Sequence, residues 1–346
     1  MSAPRPVNLA LQGGGAHGAF TWGVLDRILE DGRLSIAGVS GTSAGAMNAV
    51  ALADGYTRAG AEGARAALDH FWRNMSESAK HSPLKRTPFD MLTGYWGLDR
   101  SPYYHAFDML TRLASPYQMN PMNMNPLRDL VEASIDFDMV RNCTAFALFI
   151  SATNVETGKV RVFPRAQLTA DMVMASACLP HLYQAVEIDG VPYWDGGYMG
   201  NPALFPFHGG TASDDIVVVQ INPIERKGAP TTPQDIQNRL AEISFNGSLL
   251  KELRAIDFVD RLIRQGKLSR DHYRQMRVHI IENQAELKPL GASSKMNAEW
   301  TFLTRLRDMG RDTAARWLDA AVPSIGVRST VDLQEMFAGI GGEHQG

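Results

Sequence analysis

The chain has 346 residues, and its 34 lysines and arginines against 37 aspartates and glutamates leave a formal net charge of −3. Apolar residues make up 45% of the sequence, which excludes a wholly disordered chain. The near-neutral charge argues against a nucleic-acid-binding protein, and no run approaches the roughly 18–20 apolar residues that span a bilayer. Two cysteines, Cys143 and Cys178, cannot form a disulfide framework, so we expect a reduced, cytoplasmic protein.

The N-terminal part of the chain alternates short apolar runs with glycine turns. Val7–Leu11 predicts a buried strand, and a helix is predicted over 19–30. Leu34–Val39 predicts a second strand, and small residues predict a second helix over 44–53. This succession of strand, turn and helix is typical of a parallel sheet covered by helices.

Later segments continue the same pattern. Further strands are predicted over 145–151, 215–221 and 276–281, and Val186–Trp194 predicts a hairpin that turns at Asp189-Gly190. Two long helices are predicted, over 235–265 and 298–318. Apolar residues of the first are expected to form one buried stripe, namely Ile236, Leu240, Ile243, Leu250, Leu253 and Ile256.

The middle of the chain, at about 76–126, differs in composition. Between Phe89 and Met124 it is rich in aromatic residues and methionines and is interrupted by prolines and glycines. The stretch Pro116–Pro126 (PYQMNPMNMNP) predicts neither regular helix nor strand. We interpret residues 76–126 as an irregular cap-like insertion, because such segments within compact domains are usually functional.

Residues 41–45, Gly-Thr-Ser-Ala-Gly, have the pattern of a nucleophile elbow. A predicted strand precedes them and a predicted helix follows, which would place the Ser43 hydroxyl on an exposed tight turn. Gly41 and Gly45 would avoid side-chain clashes in that turn. The alternative is an ordinary glycine-rich connection between a strand and a helix.

The run Gly13-Gly14-Gly15 could supply backbone N–H groups to an oxyanion. Gly13-x-Gly15-x-x-Gly18 also fits a dinucleotide-binding fingerprint, which wants an acidic residue at the end of the second strand. The second strand instead runs into Ser40-Gly41. A nucleotide-binding protein is therefore the second hypothesis for this loop.

A nucleophilic serine needs a base, and the residues alone leave its identity open. Among nine histidines, His208 is the best late candidate. Asp195, followed by Gly196-Gly197, lies at the exit of the predicted hairpin. Asp-Gly usually forms a turn, so pattern reasoning favours a structural role for Asp195.

Taken together, these motifs resemble those of the patatin-like phospholipases. In order, the shared motifs are the glycine-rich residues 13–18, the elbow 41–45, Ala175-Ser176-Ala177 with Pro180, and Asp195-Gly196-Gly197 followed by Asn201-Pro202. The resemblance covers roughly residues 5–225. It implies an α/β three-layer sandwich with a mostly parallel central sheet, a catalytic core at 5–225 that includes the cap-like insertion, and helices and a strand at 226–346 packing on the same domain.

The resemblance also implies a chemistry: hydrolysis of carboxylic esters of lipids through a Ser–Asp dyad and an acyl-enzyme, with no metal or organic cofactor. Ser43 would be the nucleophile and Asp195 the base. The amides of Gly13, Gly14 and Gly15 would form the oxyanion hole, with Gly41, Gly45, Gly196 and Gly197 supporting the motifs. A lipid or acyl-ester substrate implies peripheral contact with the inner membrane face. The alternative is a non-catalytic lipid- or partner-binding protein on the same scaffold.

Two further expectations concern the surroundings of the site. The family usually has arginine or lysine where this chain has His17, which would steady the glycine loop either as a cation or as a neutral ring bonded to a backbone carbonyl. Methionine and aromatic side chains suit an adaptable acyl groove, the alternative being that they pack the insertion onto the body. The candidate groove residues are Tyr95, Trp96, Tyr103, Met119 and Met122.

Overall fold

The computed structural model describes residues 3–337. The strands in this range are β1 (Arg5–Leu11), β2 (Leu34–Gly41), β3 (Ala147–Asn154), β4 (Val160–Pro164), β5 (Val186–Ile188), β6 (Val191–Asp195), β7 (Asp215–Val219) and β8 (Arg277–Ile281). The α-helices are α1 (Gly18–Asp31), α2 (Ala44–Ser78), α3 (Pro88–Thr93), α4 (Pro102–Leu113), α5 (Pro116–Met119), α6 (Pro126–Ser134), α7 (Phe137–Asn142), α8 (Ala170–Ser176), α9 (Phe207–Gly210), α10 (Pro233–Arg264), α11 (Gln284–Leu287), α12 (Trp300–Ala321) and α13 (Leu333–Met336). Short 3₁₀ helices lie at Gly15–His17, Ala79–His81, Arg165–Gln167, Gly196–Tyr198, Ala292–Met296 and Val322–Ser324.

All eight strands form one sheet in the order β5-β6-β3-β2-β1-β7-β8, with β4 paired to β3. Strands β3, β2, β1, β7 and β8 run parallel, whereas β4, β5 and β6 are antiparallel to their neighbours. The prediction of a mostly parallel central sheet is confirmed. Leu11 pairs with Gly41, and Gly41 pairs with Ile150, so the loops that follow β1 and β2 leave from one edge of the sheet.

Side chains of the central strands point alternately into two apolar layers. Leu9 and Leu11 belong to the core that includes residues of α1, α2 and α12. Ala10 belongs to a second core that includes Leu249 and Leu253 of α10. A strand covered on both faces is mostly apolar, and β7, in which four valine and isoleucine residues follow Asp215, is buried at every residue. Helices therefore cover both faces of the sheet, and the predicted three-layer architecture is confirmed.

Two helical boundaries differ from the sequence-based expectations. The helix predicted over 44–53 runs further, to a break at Ala59 and Gly60, whose backbone angles are not helical. Gly60 adopts φ 60°, which glycine tolerates, and a second helical segment of α2 then continues to Ser78. The helix predicted as the last one corresponds to α12, and α13 follows it.

The apolar stripe predicted for the long helix α10 is correct only for its second half. Leu253 and Ile256 are buried, but in the first half the buried residues are polar, Glu242 and Asn246. The apolar residues that face outward there are Ile236 (41% exposed), Leu240 (53%) and Ile243 (53%). At this end the polar side of the helix faces the protein interior, because the helix covers a polar network. In that network Gln12 Nε2 donates to Asn246 Oδ1 at 3.3 Å.

The cap-like insertion contains more regular structure than its sequence predicts. Pro88, Pro102, Pro116 and Pro126 each occupy the start of a helix, where the missing N–H costs nothing. The prediction that Pro116–Pro126 contains no helix is wrong for its first residues, which form α5. Prolines that look like breakers in the sequence here begin short helices.

Residues 226–337 join the same sheet and the same helical layer, whereas residues 338–346 of the predicted extension lie outside the described range. Strand β8 pairs in parallel with β7. Helix α12 packs on α1 so closely that a Cβ on Gly23 would collide with the carbonyl oxygen of Arg307. None of the helices between residues 3 and 337 has the length and apolarity that crossing a bilayer requires.

Candidate active site

Ser43 lies on the turn between β2 and α2 in a strained backbone conformation, with φ 55° and ψ −121°. Such a conformation costs about 1–3 kcal/mol and is found preferentially at functional sites. The Gly45 N–H donates to the Thr42 carbonyl at 2.8 Å, and the Met47 N–H donates to the Ser43 carbonyl at 3.1 Å. The Ser43 N–H itself donates to Ser176 Oγ at 2.9 Å. The strained turn is thus stabilised by hydrogen bonds within the elbow and by a hydrogen bond to Ser176 of α8.

The two glycines of the elbow are required by space. A Cβ on Gly41 would lie 2.6 Å from the carbonyl oxygen of Gly45. A Cβ on Gly45 would collide with the carbonyl oxygen of Leu11. Both obstacles are backbone atoms, which cannot move aside as a flexible side chain can.

Asp195 is brought beside the elbow by the antiparallel strand β6. It pairs with Ala152, close to the carboxyl end of β3. Its N–H donates to the Cys178 carbonyl at 2.8 Å, and its carbonyl accepts from Thr153 Oγ1 at 2.8 Å. Gly196 lets the chain approach β3, since a Cβ there would collide with the Ser151 carbonyl oxygen.

The Asp195 carboxyl group is fully buried and only half satisfied. Oδ1 accepts from the Gly197 N–H at 2.7 Å, whereas Oδ2 has no hydrogen-bond partner among the described residues. Burial raises the pKa of Asp195 to about 7, against the opposing effects of the Gly197 N–H, the Ser43 hydroxyl and the Lys295 ammonium. The Ser43 hydroxyl therefore lies close to the carboxyl group, although the two do not form a hydrogen bond of good geometry. Catalytic contacts of this kind often tighten only when substrate binds.

The glycine loop differs from the expectation at one amide. The Gly13 N–H already donates to Asn201 Oδ1 at 2.7 Å, so it is not available to an oxyanion. Within residues 3–337, the N–H groups of Gly14 and Gly15 donate no hydrogen bond. Of the three amides predicted to act as oxyanion donors, only those of Gly14 and Gly15 are thus without an acceptor among the described residues.

A buried polar network supports the loop from below, and pattern reasoning missed most of it. Asn222 Nδ2 donates to the Gly13 carbonyl at 2.7 Å, and the Asn222 N–H donates to Gln12 Oε1 at 3.0 Å. Lys295 Nζ donates to Asn222 Oδ1 at 2.8 Å. Asn222 could have been suspected because it follows the carboxyl end of β7, whereas no local signal marks Lys295.

A family model described as patatin-like phospholipase matches residues 9–208 of this chain. The chain belongs to the patatin-like phospholipase family. The resemblance predicted from the motifs is thereby confirmed, and the glycine loop, the elbow and Asp195 all lie within the matched residues. No curated protein sequence matches the chain.

Solved structures similar to this chain share little sequence with it. VipD from Legionella pneumophila is 14% identical with a TM-score of 0.40, over 92% of this chain and 67% of VipD. The type III effector ExoU is 13% identical with a TM-score of 0.37, over 93% of this chain and 54% of ExoU. ExoU from Pseudomonas aeruginosa in complex with SpcU is 16% identical with a TM-score of 0.30, over 93% of this chain and 61% of the matched chain. The chain thus spans between about half and two thirds of these proteins.

His17 occupies the position where patatin-like sequences usually carry a cation. It is buried, and burial together with nearby Lys295 lowers its pKa to about 3. The ring is therefore neutral near pH 7, which favours the uncharged alternative. Ser294 Oγ donates its only proton to the Gly291 carbonyl at 2.7 Å. His17 Nε2 lies 2.7 Å from Ser294 Oγ, so in the hydrogen bond between these two atoms His17 must be the donor. The acceptor is a hydroxyl and not the backbone carbonyl that we expected.

The five candidate groove residues do not line one groove. Trp96 stacks on Phe302 with ring centroids 5.1 Å apart, and the Arg86 guanidinium lies 3.9 Å from its ring centroid. Tyr103 and Met122 are 67% and 78% exposed, and Met119 is partly buried. Trp96 thus packs the insertion onto the body, as the alternative interpretation held.

Tyr95 points into a different, polar region. Its hydroxyl donates to Asp99 Oδ2 at 2.6 Å, and it lines a cavity of about 380 Å³ between α4 and α10. Neither Ser43 nor Asp195 lines this cavity. His208, the other candidate base, is exposed, and its Nδ1 pairs with the Phe205 carbonyl of its own turn at 3.1 Å. Across residues 3–337, no group of three or more His, Cys, Asp or Glu side chains is arranged to hold a metal ion.

Proposed function

We propose that this chain hydrolyses carboxylic esters of lipids through a dyad of Ser43 and Asp195. Its family consists of lipid acyl hydrolases. The observation that carries the dyad is a strained serine beside a buried carboxyl group whose Oδ2 has no partner among the described residues. A carboxyl group with a pKa of about 7 can act as base and as acid near neutral pH.

In the proposed acylation step, the Oγ–H bond of Ser43 breaks as its proton passes to Asp195 Oδ2. The Ser43 oxygen bonds to the ester carbonyl carbon, and the carbonyl electrons move to the oxyanion. In this proposal the N–H groups of Gly14 and Gly15, which have no acceptor among the described residues, donate to that oxyanion. Collapse expels the alcohol, which takes the proton from Asp195 and leaves acyl-Ser43.

Deacylation repeats these transfers with water. Asp195 accepts a proton from the water that attacks acyl-Ser43, and returns it to Ser43 Oγ as the fatty acid leaves. Each half-reaction needs one group that exchanges one proton. A third catalytic side chain is not required by this proton count.

The dyad is tested by labelling and by paired substitutions. A fluorophosphonate probe should label Ser43, as identified by peptide mapping, and Ser43→Ala should abolish both labelling and hydrolysis of a short p-nitrophenyl ester. Asp195→Asn should remove most activity, and the double variant should be little worse than Ser43→Ala, because residues that act as a unit are not additive. Ser78→Ala, an exposed change at the end of the same helix, is the control. Near-normal turnover by Ser43→Ala would overturn the proposal.

We also propose that the outward apolar side of α4 and of the first half of α10 contacts aggregated lipid. Arg112 of α4 donates to Gln234 of α10 at 3.3 Å, which joins the two helices. The exposed apolar residues are Met109, Leu110 and Leu113 on α4 and Ile236, Leu240 and Ile243 on α10. Next to these residues, Phe245 of α10 contacts Gly197 of the Asp195 loop and Tyr198. Exposed apolar residues grouped on two joined helices in this way are typical of an interaction site.

This contact predicts a split between substrates. Leu240→Glu should lower sedimentation with phosphatidylcholine vesicles and slow hydrolysis of vesicle lipid, while hydrolysis of a soluble short ester stays unchanged. Gln237→Glu adds the same charge at an exposed polar position of α10 and is the matched control. Equal behaviour of the two variants on vesicles would contradict the proposed surface.

The division of the chain is part of the same proposal. We assign the nucleophile, the base and the glycine loop to the core at 5–225. The extension from residue 226 supplies β8, α12 and the polar side chains that support the loop.

A further inference from the structure

Lys295 is a partly buried cation that makes no salt bridge with any described residue. The nearest buried acid on α10, Glu242, is already paired with Arg226 at 2.7 Å and with Arg239 at 3.1 Å. A cation withdrawn from water without a carboxylate partner is costly, so its retention indicates a role beyond stability.

The contacts of Lys295 converge on the glycine loop. Its Nζ donates to Asn222 Oδ1 at 2.8 Å, and the Asn222 amide donates to the Gly13 carbonyl at 2.7 Å. Its own carbonyl oxygen would lie 2.5 Å from a Cβ built on Gly15, whose φ is +59°. One residue thus borders the loop through its side chain at one end and through its backbone at the other.

The charge of Lys295 also reaches the other groups of the site. It lowers the pKa of Asp195 and that of His17. Burial lowers the pKa of Lys295 from its ordinary value and Arg226 adds to this effect, whereas Glu242 and Asp195 oppose it. Glu242 and Arg226 are paired with each other. Since His17 is neutral near pH 7, Asp195 is the titrating group of the site on which this charge acts.

We propose that Lys295 is a positioning residue of the site: through Asn222 it fixes the glycine loop beside Ser43 and holds a positive charge next to that loop. The inference rests on the proposed Ser43–Asp195 function. It assigns to the 3₁₀ helix Ala292–Met296, outside the residues matched by the family model, a part in the chemistry of the core.

Three substitutions separate the two roles. Lys295→Gln keeps an N–H donor toward Asn222 and removes the charge, Lys295→Arg keeps the charge, and Lys295→Met removes both. Lys251→Gln, at an exposed position of α10, is the control. The first readout is kcat/KM for a short soluble ester from pH 5 to pH 9. The second is the ¹³Cγ NMR titration of Asp195, assigned with Asp195→Asn.

Loss of a nearby opposite charge should raise the titration midpoint of Asp195 by about one pH unit. We expect that upward shift in Lys295→Gln and in Lys295→Met, but not in Lys295→Arg or Lys251→Gln. Lys295→Met should in addition lower the plateau of kcat at high pH, because the loop loses its anchor. If Lys295→Met does not fold, Lys295→Gln and Lys295→Arg still decide the charge effect, and Asn222→Ala, which removes the link to the Gly13 carbonyl and keeps the cation, decides the positioning role by the same plateau.

An unshifted titration of Asp195 in Lys295→Gln would overturn the electrostatic role, whatever happens to the rate. A Lys295→Met plateau equal to that of the wild type would overturn the positioning role. The NMR titration needs no turnover, so it remains decisive for the charge effect even if Ser43→Ala shows that the proposed hydrolysis is wrong.

Discussion

Gly13 lies against the nucleophile candidate: a Cβ built on Gly13 would be 2.7 Å from the Cβ of Ser43 and 2.9 Å from the carbonyl oxygen of Thr42. The backbone of the glycine loop therefore packs directly on the Ser43 side chain, and a methyl group on Gly13 would not fit between them. The residue that holds Gly13 in this place, Asn201, accepts its N–H at 2.7 Å.

Gly13→Ala should displace Ser43 or the loop and lower kcat by about 10²-fold or more, since misplacement by about 1 Å can cost that much. KM for a short ester should change little, because the added methyl group acts on the nucleophile. Gly247→Ala, in open space on α10, is the control and should be as active as wild type. A Gly13→Ala enzyme with raised KM and unchanged kcat would indicate a binding loop instead.

The rate should follow the ionisation of Asp195. Its pKa is about 7, and it can accept the Ser43 proton only as the carboxylate. We therefore expect kcat/KM for a soluble ester to rise about tenfold per pH unit below pH 7 and to level off above it. Stopped-time assays from pH 5 to pH 9 measure the profile, and a flat profile between pH 5.5 and pH 8 would contradict Asp195 as the base.

Asp195→Asn should make the protein more stable at alkaline pH. The folded pKa of about 7 lies above the ordinary value of 3.8, so the ionised form destabilises the fold as pH rises from 4 to 7. At 1.36 kcal/mol per pKa unit, the gain in unfolding free energy at pH 8 is at most on the order of 4 kcal/mol, and it disappears near pH 4.

Urea unfolding at several pH values measures this difference. Asp312→Asn, at an exposed position of α12, controls for the loss of a negative charge in general. A difference between Asp195→Asn and wild type that is constant with pH would show that Asp195 does not titrate as its burial predicts.

His17→Arg should be strongly destabilising, because it places a second cation at a buried position that the positive charge of Lys295 already makes unfavourable for a cation. Breaking such a site with an uncompensated charge typically costs about 3–5 kcal/mol. His17→Gln, which is neutral and can donate to Ser294, should cost much less. Thermal melting compares the two, and an arginine variant as stable as the glutamine variant would restore the cationic role for this position.

Trp96→Ala should lower stability, whereas Met122→Ala should not. Trp96 stacks on Phe302 and lies beneath Arg86. Removing a packed tryptophan costs about 3–5 kcal/mol. Its activity should fall equally on short and long esters. Melting temperatures and kcat/KM on C4 and C12 esters test this, and a loss confined to C12 in both variants would support an acyl groove after all.

The parallel sheet could be predicted from the sequence because its strands are short apolar runs bounded by glycine. The same glycines also indicate the site, because the elbow around Ser43 and the loop at Gly13 can be recognised from the local spacing of their glycines. Their steric reason is visible only in the structure, where the obstacles to a Cβ are backbone atoms of other elements, such as the Leu11 carbonyl beside Gly45.

Long-range polar contacts could not be predicted in this way. Asn222 and Lys295 are far apart in the chain from Gly13, and neither lies in a recognisable pattern. The first half of α10 shows the same limit. Periodicity identifies the apolar side of a helix, but here Glu242 and Asn246 face inward because a polar network lies beneath the helix.

The position of Lys295 along the chain has a consequence for synthesis of the protein. The elbow leaves the ribosome about 250 residues before the cation that anchors the glycine loop, which at 5–20 residues per second is a delay of roughly 10–50 s. During that time the nascent chain holds the elbow and the glycine loop without the cation that anchors the loop. An acyl hydrolase assembled in this order would have its glycine loop anchored only after most of the chain has been translated.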